Sequence, residues 1–491
     1  MPNSTVCGET AFCKEVTMAD YNKLTPELIE QLKACAPGHI LTGEDVNEDY
    51  ARDEMPIYGK QMPEAVLQAT TAEEISAVMK FCNEHRIPVT TRGAGTGLVG
   101  GCVPVYGGVV IETIKMNRIL SYDLENFSVT IEPGVLLQQL ADDALTKGMM
   151  YPPDPGEKLA TVGGNVSTNA GGMRAVKYGT TRDYVLAMKV VLPSGEITSY
   201  GAKVSKTSSG YSLLNLMIGS EGTLGIIVEL TLKLIPAPKC TLSLVVPFEN
   251  IDAAISTVPI VKMSNLDPQA IEFMEREIMD ISERFVGRQV FPKQIEGTDI
   301  GACLLITFDG QKEEELYERV ETISETLIEA GAMDVLVVDN PQKLRDTWAA
   351  RSSFLEGIES ETKLLDECDV VVPIKEIARF LKFAKDTGVE CGLEIKSFGH
   401  AGDGNLHIYQ CSNDLERDEF VKRVDTYFEK LYKEAVACGG LVSGEHGIGR
   451  GKVKYLAESI GETNMELMRG IKKVFDPNLV LNPGKVCYAF D

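Results

Sequence analysis

The first strong signal along the chain is helical. Thr71-Ala72-Glu73-Glu74 has the form of a capping box, and apolar side chains then fall at Ile75, Val78, Met79 and Cys82, one face of an amphipathic helix. A short β-branched run follows at Val89-Thr90-Thr91-Arg92, and further runs occupy residues 109–111 and 129–131. Leu136, Leu137, Leu140, Ala141, Ala144 and Leu145 form a second helical stripe, which Gly148 ends. Strands and helices therefore alternate through about residue 235, the pattern of an α+β or α/β domain.

Pro236-Ala237-Pro238 reads as a linker. Beyond it, strand-like runs at 242–246 and 303–307 alternate with acidic helices such as 313–330, which predicts a second sheet covered by helices. A helical stretch at 414–437 precedes a glycine-rich segment and the C-terminal tail. The expected divisions are an N-terminal arm (1–45), a first domain (46–238), a second domain (239–425) and a C-terminal helical segment (426–491).

With 491 residues the chain is too long for one core, which agrees with this division. A formal charge of −24 argues against nucleic acid and against an anionic lipid surface. It suits a partner with a basic face, or simple solubility. The 12 cysteines include no C-x-x-C pair and sit in apolar segments, as reduced core thiols do, so a cytoplasmic location is expected. No apolar run is long enough to predict a membrane span. The first seventeen residues are polar and are read as a leader before Met18 rather than a signal peptide.

Glycine-rich segments carry the candidate chemistry of the first domain. Arg92-Gly93-Ala94-Gly95-Thr96-Gly97 follows a strand, and successive backbone N–H groups in such a loop form an anion nest. It departs from G-x-G-x-x-G, because the residues after Gly97 extend the loop instead of starting a helix. Residues 161–172 form a second cluster, in which Asn165 and Asn169 sit among glycines, and residues 219–225 form a third. Several such loops in one domain imply a long ligand threaded through it.

These segments resemble the FAD-binding motifs of the vanillyl-alcohol oxidase/p-cresol methylhydroxylase flavoprotein superfamily, and best its branch of D-lactate dehydrogenases, glycolate oxidase flavin subunits and D-2-hydroxyglutarate dehydrogenases. The similarity runs from about residue 45 to the end. It implies an α+β fold: a two-subdomain FAD-binding domain of the p-cresol methylhydroxylase type, a ferredoxin-like antiparallel cap domain for substrate, and a C-terminal segment returning to the flavin. It implies FAD contacts at Arg92, Gly93, Ala94, Gly95, Thr96, Gly97, Pro153, Asp154, Gly163, Gly164, Asn169, Gly171, Glu221 and Ile226. Asn482, in Leu481-Asn482-Pro483-Gly484-Lys485, is implied as a further one. The loops hold no histidine, so the flavin is expected to be non-covalent.

Of the 5 histidines, His400, His407 and His446 fall in the last hundred residues. In 398–408, Asp403-Gly404 suggests a tight turn that pairs His400 with His407 and Ala401 with Leu406. Directly opposite side chains on a hairpin lie roughly 5 Å apart at Cβ, close enough to share a divalent cation. Glu445-His446-Gly447 adds a carboxylate beside a third imidazole, and a His/His/Glu set with open positions suits a catalytic metal.

The resemblance sharpens these roles. It implies His400, His407 and Glu445 as ligands of one Zn, Fe or Mn ion, His446 as catalytic base, and Arg351 as clamp on a substrate carboxylate. The implied reaction is oxidation of a short 2-hydroxy acid, D-lactate to pyruvate by best match, with hydride transfer to flavin N5. Leu355 stands where D-2-hydroxyglutarate enzymes carry a hydroxyl, and acidic Glu367 near where they carry a lysine, which disfavours a second substrate carboxylate. Glycolate and D-2-hydroxyglutarate dehydrogenases are the alternatives, and a non-redox transferase shares the fold. The similar lactate dehydrogenases include some that pass electrons to an electron-transfer flavoprotein, in certain cases with electron bifurcation.

Overall fold

The computed structural model describes residues 20–55 and 60–488, so the polar leader lies outside the described residues. The first subdomain is built on a four-stranded sheet in the order Ile40–Thr42, Ala65–Gln68, Val109–Glu112, Val89–Arg92. Its last three strands are parallel, and Ile40–Thr42 adds an antiparallel edge. The helix Ala72–Glu84 covers the sheet, and both hydrogen bonds of the Thr71/Glu74 capping box form. From residue 20 onward, the segment expected as an arm packs on this subdomain. Its helix Pro26–Cys35 buries Leu32 in the same core, and its strand pairs in the sheet.

The second subdomain is an antiparallel five-stranded sheet in the order Ile119–Asp123, Ser128–Ile131, Ile226–Lys233, Val185–Val191, Ile197–Gly201. The helix Leu137–Thr146 lies against it, burying Leu137, Leu140 and Ala144 of the predicted stripe, whereas Leu145 is exposed. The second glycine cluster differs from the expected loop: residues Val162–Thr168 are helical. Thr161 caps the start by accepting from the Gly164 N–H, and Asn169 ends the helix in the left-handed region (φ 55°). Small residues are required because the segment packs closely; a Cβ on Gly163 would lie 2.5 Å from Pro133 Cβ.

The expected linker is pinned. Ile235–Pro236 pairs with Met149–Met150, and the chain runs directly into the strand Cys240–Phe248. That strand belongs to a seven-stranded antiparallel sheet: Leu336–Val338, Cys240–Phe248, Ala302–Gly310, Ala270–Glu275, Glu394–His400, Asn405–Ser412, Leu364–Val371. Alternation along Cys240–Phe248 sends Leu242, Leu244, Val246 and Phe248 into one core, with helices Ile251–Met263, Glu313–Glu329, Ile377–Cys391 and Arg417–Ala437. Val245 faces the other side, among Met274, Leu305, Phe354, Phe398 and Tyr409, where helices Arg276–Val286, Pro341–Ser352 and Phe354–Glu361 pack.

The tail then crosses back to the first subdomain. Val89 N–H donates to Val480 O and Asn482 N–H to Val89 O. Buried Lys472 donates to Asp476, Thr223 O and Leu481 O, fixing the return. Among the described residues no helix is long and apolar enough to cross a membrane, and the described cysteines are unpaired.

Candidate active site

The histidine hairpin folds with a different register from the one expected. His400 pairs with Asn405 and Phe398 with His407, so the turn spans Ala401 to Gly404. Gly404 takes the left-handed conformation (φ 87°). The turn is also held from outside: Gly402 N–H donates to Ile271 O, and Val372 N–H to Gly404 O. These contacts to neighbouring strands override the two-residue turn. His400 and His407 are therefore diagonal rather than opposite, yet they share one face of the sheet, with ring centroids 5.4 Å apart.

Their Nε2 atoms converge on one carboxylate oxygen. Glu445 Oε1 lies 3.1 Å from His400 Nε2 and 3.2 Å from His407 Nε2. Each Nδ1 faces a buried carboxylate: Glu272 for His400 at 2.8 Å, and Glu367 for His407 at 3.0 Å. A carboxylate behind a metal-binding imidazole fixes its ring and tautomer, so the pair presents lone pairs inward. Burial disfavours charge on both rings. The carboxylates still win, holding His400 well above its ordinary range through Glu272 and Glu445. Glu367 and Glu445 likewise push His407 up to about 9. Without a cation, protons on the imidazoles compensate the carboxylates.

His446 stacks beside His407, with centroids 5.2 Å apart, and its Nδ1 lies 3.2 Å from Glu367 Oε2. Glu367 therefore bridges His407 and His446. This corrects its expected place: it backs the histidines and is not among the residues lining the cavity described below, so it does not meet the distal end of a ligand. The loop carrying Glu445 and His446 is organised by Asp369. Its carboxylate accepts from the Ser443 hydroxyl and from the N–H groups of Gly444, Glu445 and His446, and it pairs with buried Lys452. Replacing Asp369 by alanine is expected to destabilise the protein by about 3–5 kcal/mol, because Lys452 would stay buried without its partner. Urea unfolding followed by circular dichroism measures it.

A cavity of about 540 Å³ lies between the glycine loops and the cap. Arg351, His400, His407, Glu445 and His446 line it, as do Arg92, Gly93, Ala94, Gly95, Thr96, Gly97, Gly163, Gly164, Glu221 and Ile226. Pro153, Asp154, Asn169, Gly171 and Asn482 do not line it. Asp154 is paired with Lys158 and Arg174. Asn169 Oδ1 accepts from Thr180 and Arg182, and Gly171 packs against the Glu445 side chain. Asn482 Nδ2 donates to Glu221 O and Gly101 O, tying the tail to the loops. Arg92 reaches the cavity, but its Nη1 donates to Arg52 O and Cys102 Sγ, so that nitrogen is committed within the protein. Glu221 lines the cavity and also accepts from the Ile448 and Gly449 N–H groups, linking the third glycine loop to the segment after His446.

The site fits a bound nucleotide cofactor on one further ground. Asn165 lines the cavity, and its buried Nδ2 has no hydrogen-bond partner, an expensive arrangement unless a ligand accepts from it. The residues that motif reading missed are Glu272 and Asp369. Both are acidic residues on strands, Glu272 between apolar neighbours and Asp369 two residues after Glu367, and that placement was the available signal, since a buried carboxylate needs a partner.

Residues 63–201 match the family described as FAD binding domain, and residues 237–486 the family described as FAD linked oxidases, C-terminal domain. The chain is 62% identical to a D-lactate dehydrogenase of Anaerostipes hadrus over 95% of this chain and 98% of that one. It is 38% identical to glycolate oxidase subunit GlcD of Bacillus subtilis, covering 89% of this chain and 91% of that one. Among solved structures, p-cresol methylhydroxylase superposes with a TM-score of 0.77 at 20% identity, covering 94% of this chain and 96% of that one. The chain belongs to the FAD-linked oxidase family and is an FAD-dependent dehydrogenase with the p-cresol methylhydroxylase-type fold.

Proposed function

We propose that this enzyme oxidises D-lactate to pyruvate, with non-covalent FAD in the cavity and a divalent cation at His400, His407 and Glu445. The observation that carries the reading is the convergence of both Nε2 atoms on Glu445 in the same cavity as Arg351, His446 and the glycine loops. Two imidazoles and a carboxylate suit Zn, Fe or Mn. Bound there, the cation supplies Lewis-acid polarisation of a substrate hydroxyl. Bound FAD supplies the two-electron acceptor. Arg351 holds the substrate carboxylate through its planar guanidinium. His446, with Nδ1 on Glu367, offers Nε2 to the hydroxyl proton. Burial disfavours its charged form, but Glu367 and Asp369 raise its proton affinity, which suits a base.

A short monocarboxylate is favoured by the wall beside Arg351. Leu355, Glu356 and Glu359 line it, giving a second carboxylate no cation to meet. The 62% identical D-lactate dehydrogenase supports the same choice; a 32% identical D-2-hydroxyglutarate dehydrogenase of Stutzerimonas stutzeri represents the alternative. Electrons from the flavin are assigned to a separate redox protein, with electron-transfer flavoprotein the first candidate, because a charge of −24 suits a partner with a basic face. The described cysteines, which are unpaired, support action in a reducing cytoplasm.

The deciding experiment is an anaerobic titration of purified holoenzyme with D-lactate, L-lactate, glycolate and D-2-hydroxyglutarate, following flavin absorbance. D-lactate is expected to bleach the flavin at the lowest concentration. Bleaching first by D-2-hydroxyglutarate or glycolate would reassign the substrate, and no bleaching by any of them would overturn the redox reading.

A further inference from the structure

We propose that Glu272 is a positioning residue that ties the substrate clamp to the metal-binding pair, so that one buried carboxylate sets the geometry of both. The inference rests on the function proposed above for Arg351 and His400.

Glu272 lies on the strand Ala270–Glu275, directly opposite His400 in the ladder. Its side chain is fully buried. It accepts from Arg351 Nε at 3.0 Å and from Arg351 Nη2, both on Oε2. Its oxygens also lie 2.8 and 2.9 Å from His400 Nδ1. Arg351 is further held by rings: the guanidinium carbon is 5.1 Å from the Phe354 centroid and 4.9 Å from that of Phe398. The rings and the Nε–Nη2 contact with Glu272 leave Arg351 little rotational freedom. Nη1 remains for a ligand in the cavity that Arg351 lines.

Two consequences follow from sharing one carboxylate. A carboxylate on Nδ1 raises the donor strength of His400 Nε2 and fixes its direction, so its loss weakens metal retention. The same loss releases the long Arg351 side chain, which must then be ordered by the substrate, so substrate binding weakens as well. A residue that merely supported the fold would lower the active fraction without moving KM.

The test uses FAD-loaded Glu272→Gln and Glu272→Asp, alone and combined with Arg351→Lys. Metal content is measured by mass spectrometry, and kcat and KM for D-lactate are measured separately. Glu272→Gln is expected to weaken metal retention by about 10- to 100-fold. It is also expected to raise KM at least as clearly as it lowers kcat, with FAD content unchanged. Combined with Arg351→Lys, it should raise KM less than the product of the single effects, because both act on one interaction. Glu272→Asp keeps the charge but withdraws it by one methylene, so it should retain more metal than Gln while still raising KM. Should Gln not fold, the Asp variant decides alone, and an unchanged KM there overturns the proposal. Multiplicative KM effects, or wild-type metal content and KM in Glu272→Gln, also overturn it. If Arg351→Lys itself leaves KM unchanged, the clamp reading of the proposed function fails instead.

Discussion

Replacing His446 by alanine is expected to lower turnover with D-lactate by about 10²- to 10⁴-fold, the usual contribution of a positioned general base. FAD should stay bound, since the cavity is lined mainly by the glycine-rich segments and His446 is a single residue of that lining. The fold should also persist. The loop of His446 is held by its backbone N–H on Asp369, and Asp369 keeps its contacts with Ser443, Gly444 and Lys452 in the variant. Stopped-flow reduction of the flavin by D-lactate, without oxygen, isolates the step. A reduction rate equal to that of the wild type would remove His446 from the mechanism.

Removing the proposed cation is the second large perturbation. Glu445→Gln, or exhaustive chelation of the wild type, is expected to lower turnover by about 10³-fold, given that Lewis-acid polarisation supplies several kcal/mol and each 1.4 kcal/mol is about tenfold. Metal affinity should depend on pH in a definite direction. In the cation-free protein His400 and His407 have raised proton affinities, His407 up to about 9. Below that pH both imidazoles hold protons that must leave before their Nε2 atoms can bind a cation. Affinity should therefore rise as pH increases towards about 9 and then level off for His407. Calorimetric titration in buffers of different ionisation enthalpy should detect the released protons at neutral pH. Affinity independent of pH would remove these imidazoles from the ligand set.

How much was legible in the sequence depends on the range of the interactions. The capping box at Thr71 and the helix opening at Glu313 are decided within a few residues, and the structure contains them as read; the stripe before Gly148 forms its helix but buries only Leu137, Leu140 and Ala144 and leaves Leu145 exposed. The first and third glycine segments are loops that line the cavity, as runs of small residues allow backbone to approach a ligand closely. The short helix at Val162–Thr168 was missed because glycines lower helix propensity, while its caps and its packing on Pro133 outweigh that preference. The pairing of Ile40–Thr42 with Ala65–Gln68 was not legible, because a three-residue edge strand has almost no periodicity of its own.

By itself, then, the sequence supplied the candidates proposed to carry the chemistry: the imidazoles, Glu445 and the glycine segments by local spacing or motif, and Arg351 by the family segment it resembles. Only the tertiary structure decided how they meet. The hairpin register is accompanied by hydrogen bonds to residues outside the turn, the Gly402 N–H donating to Ile271 O and the Val372 N–H to Gly404 O. The orienting carboxylates come from other strands, Glu272 lying 128 residues from His400 and Glu367 40 residues from His407. A side chain's buried partner depends on strand order in the sheet, which no window of neighbouring residues contains.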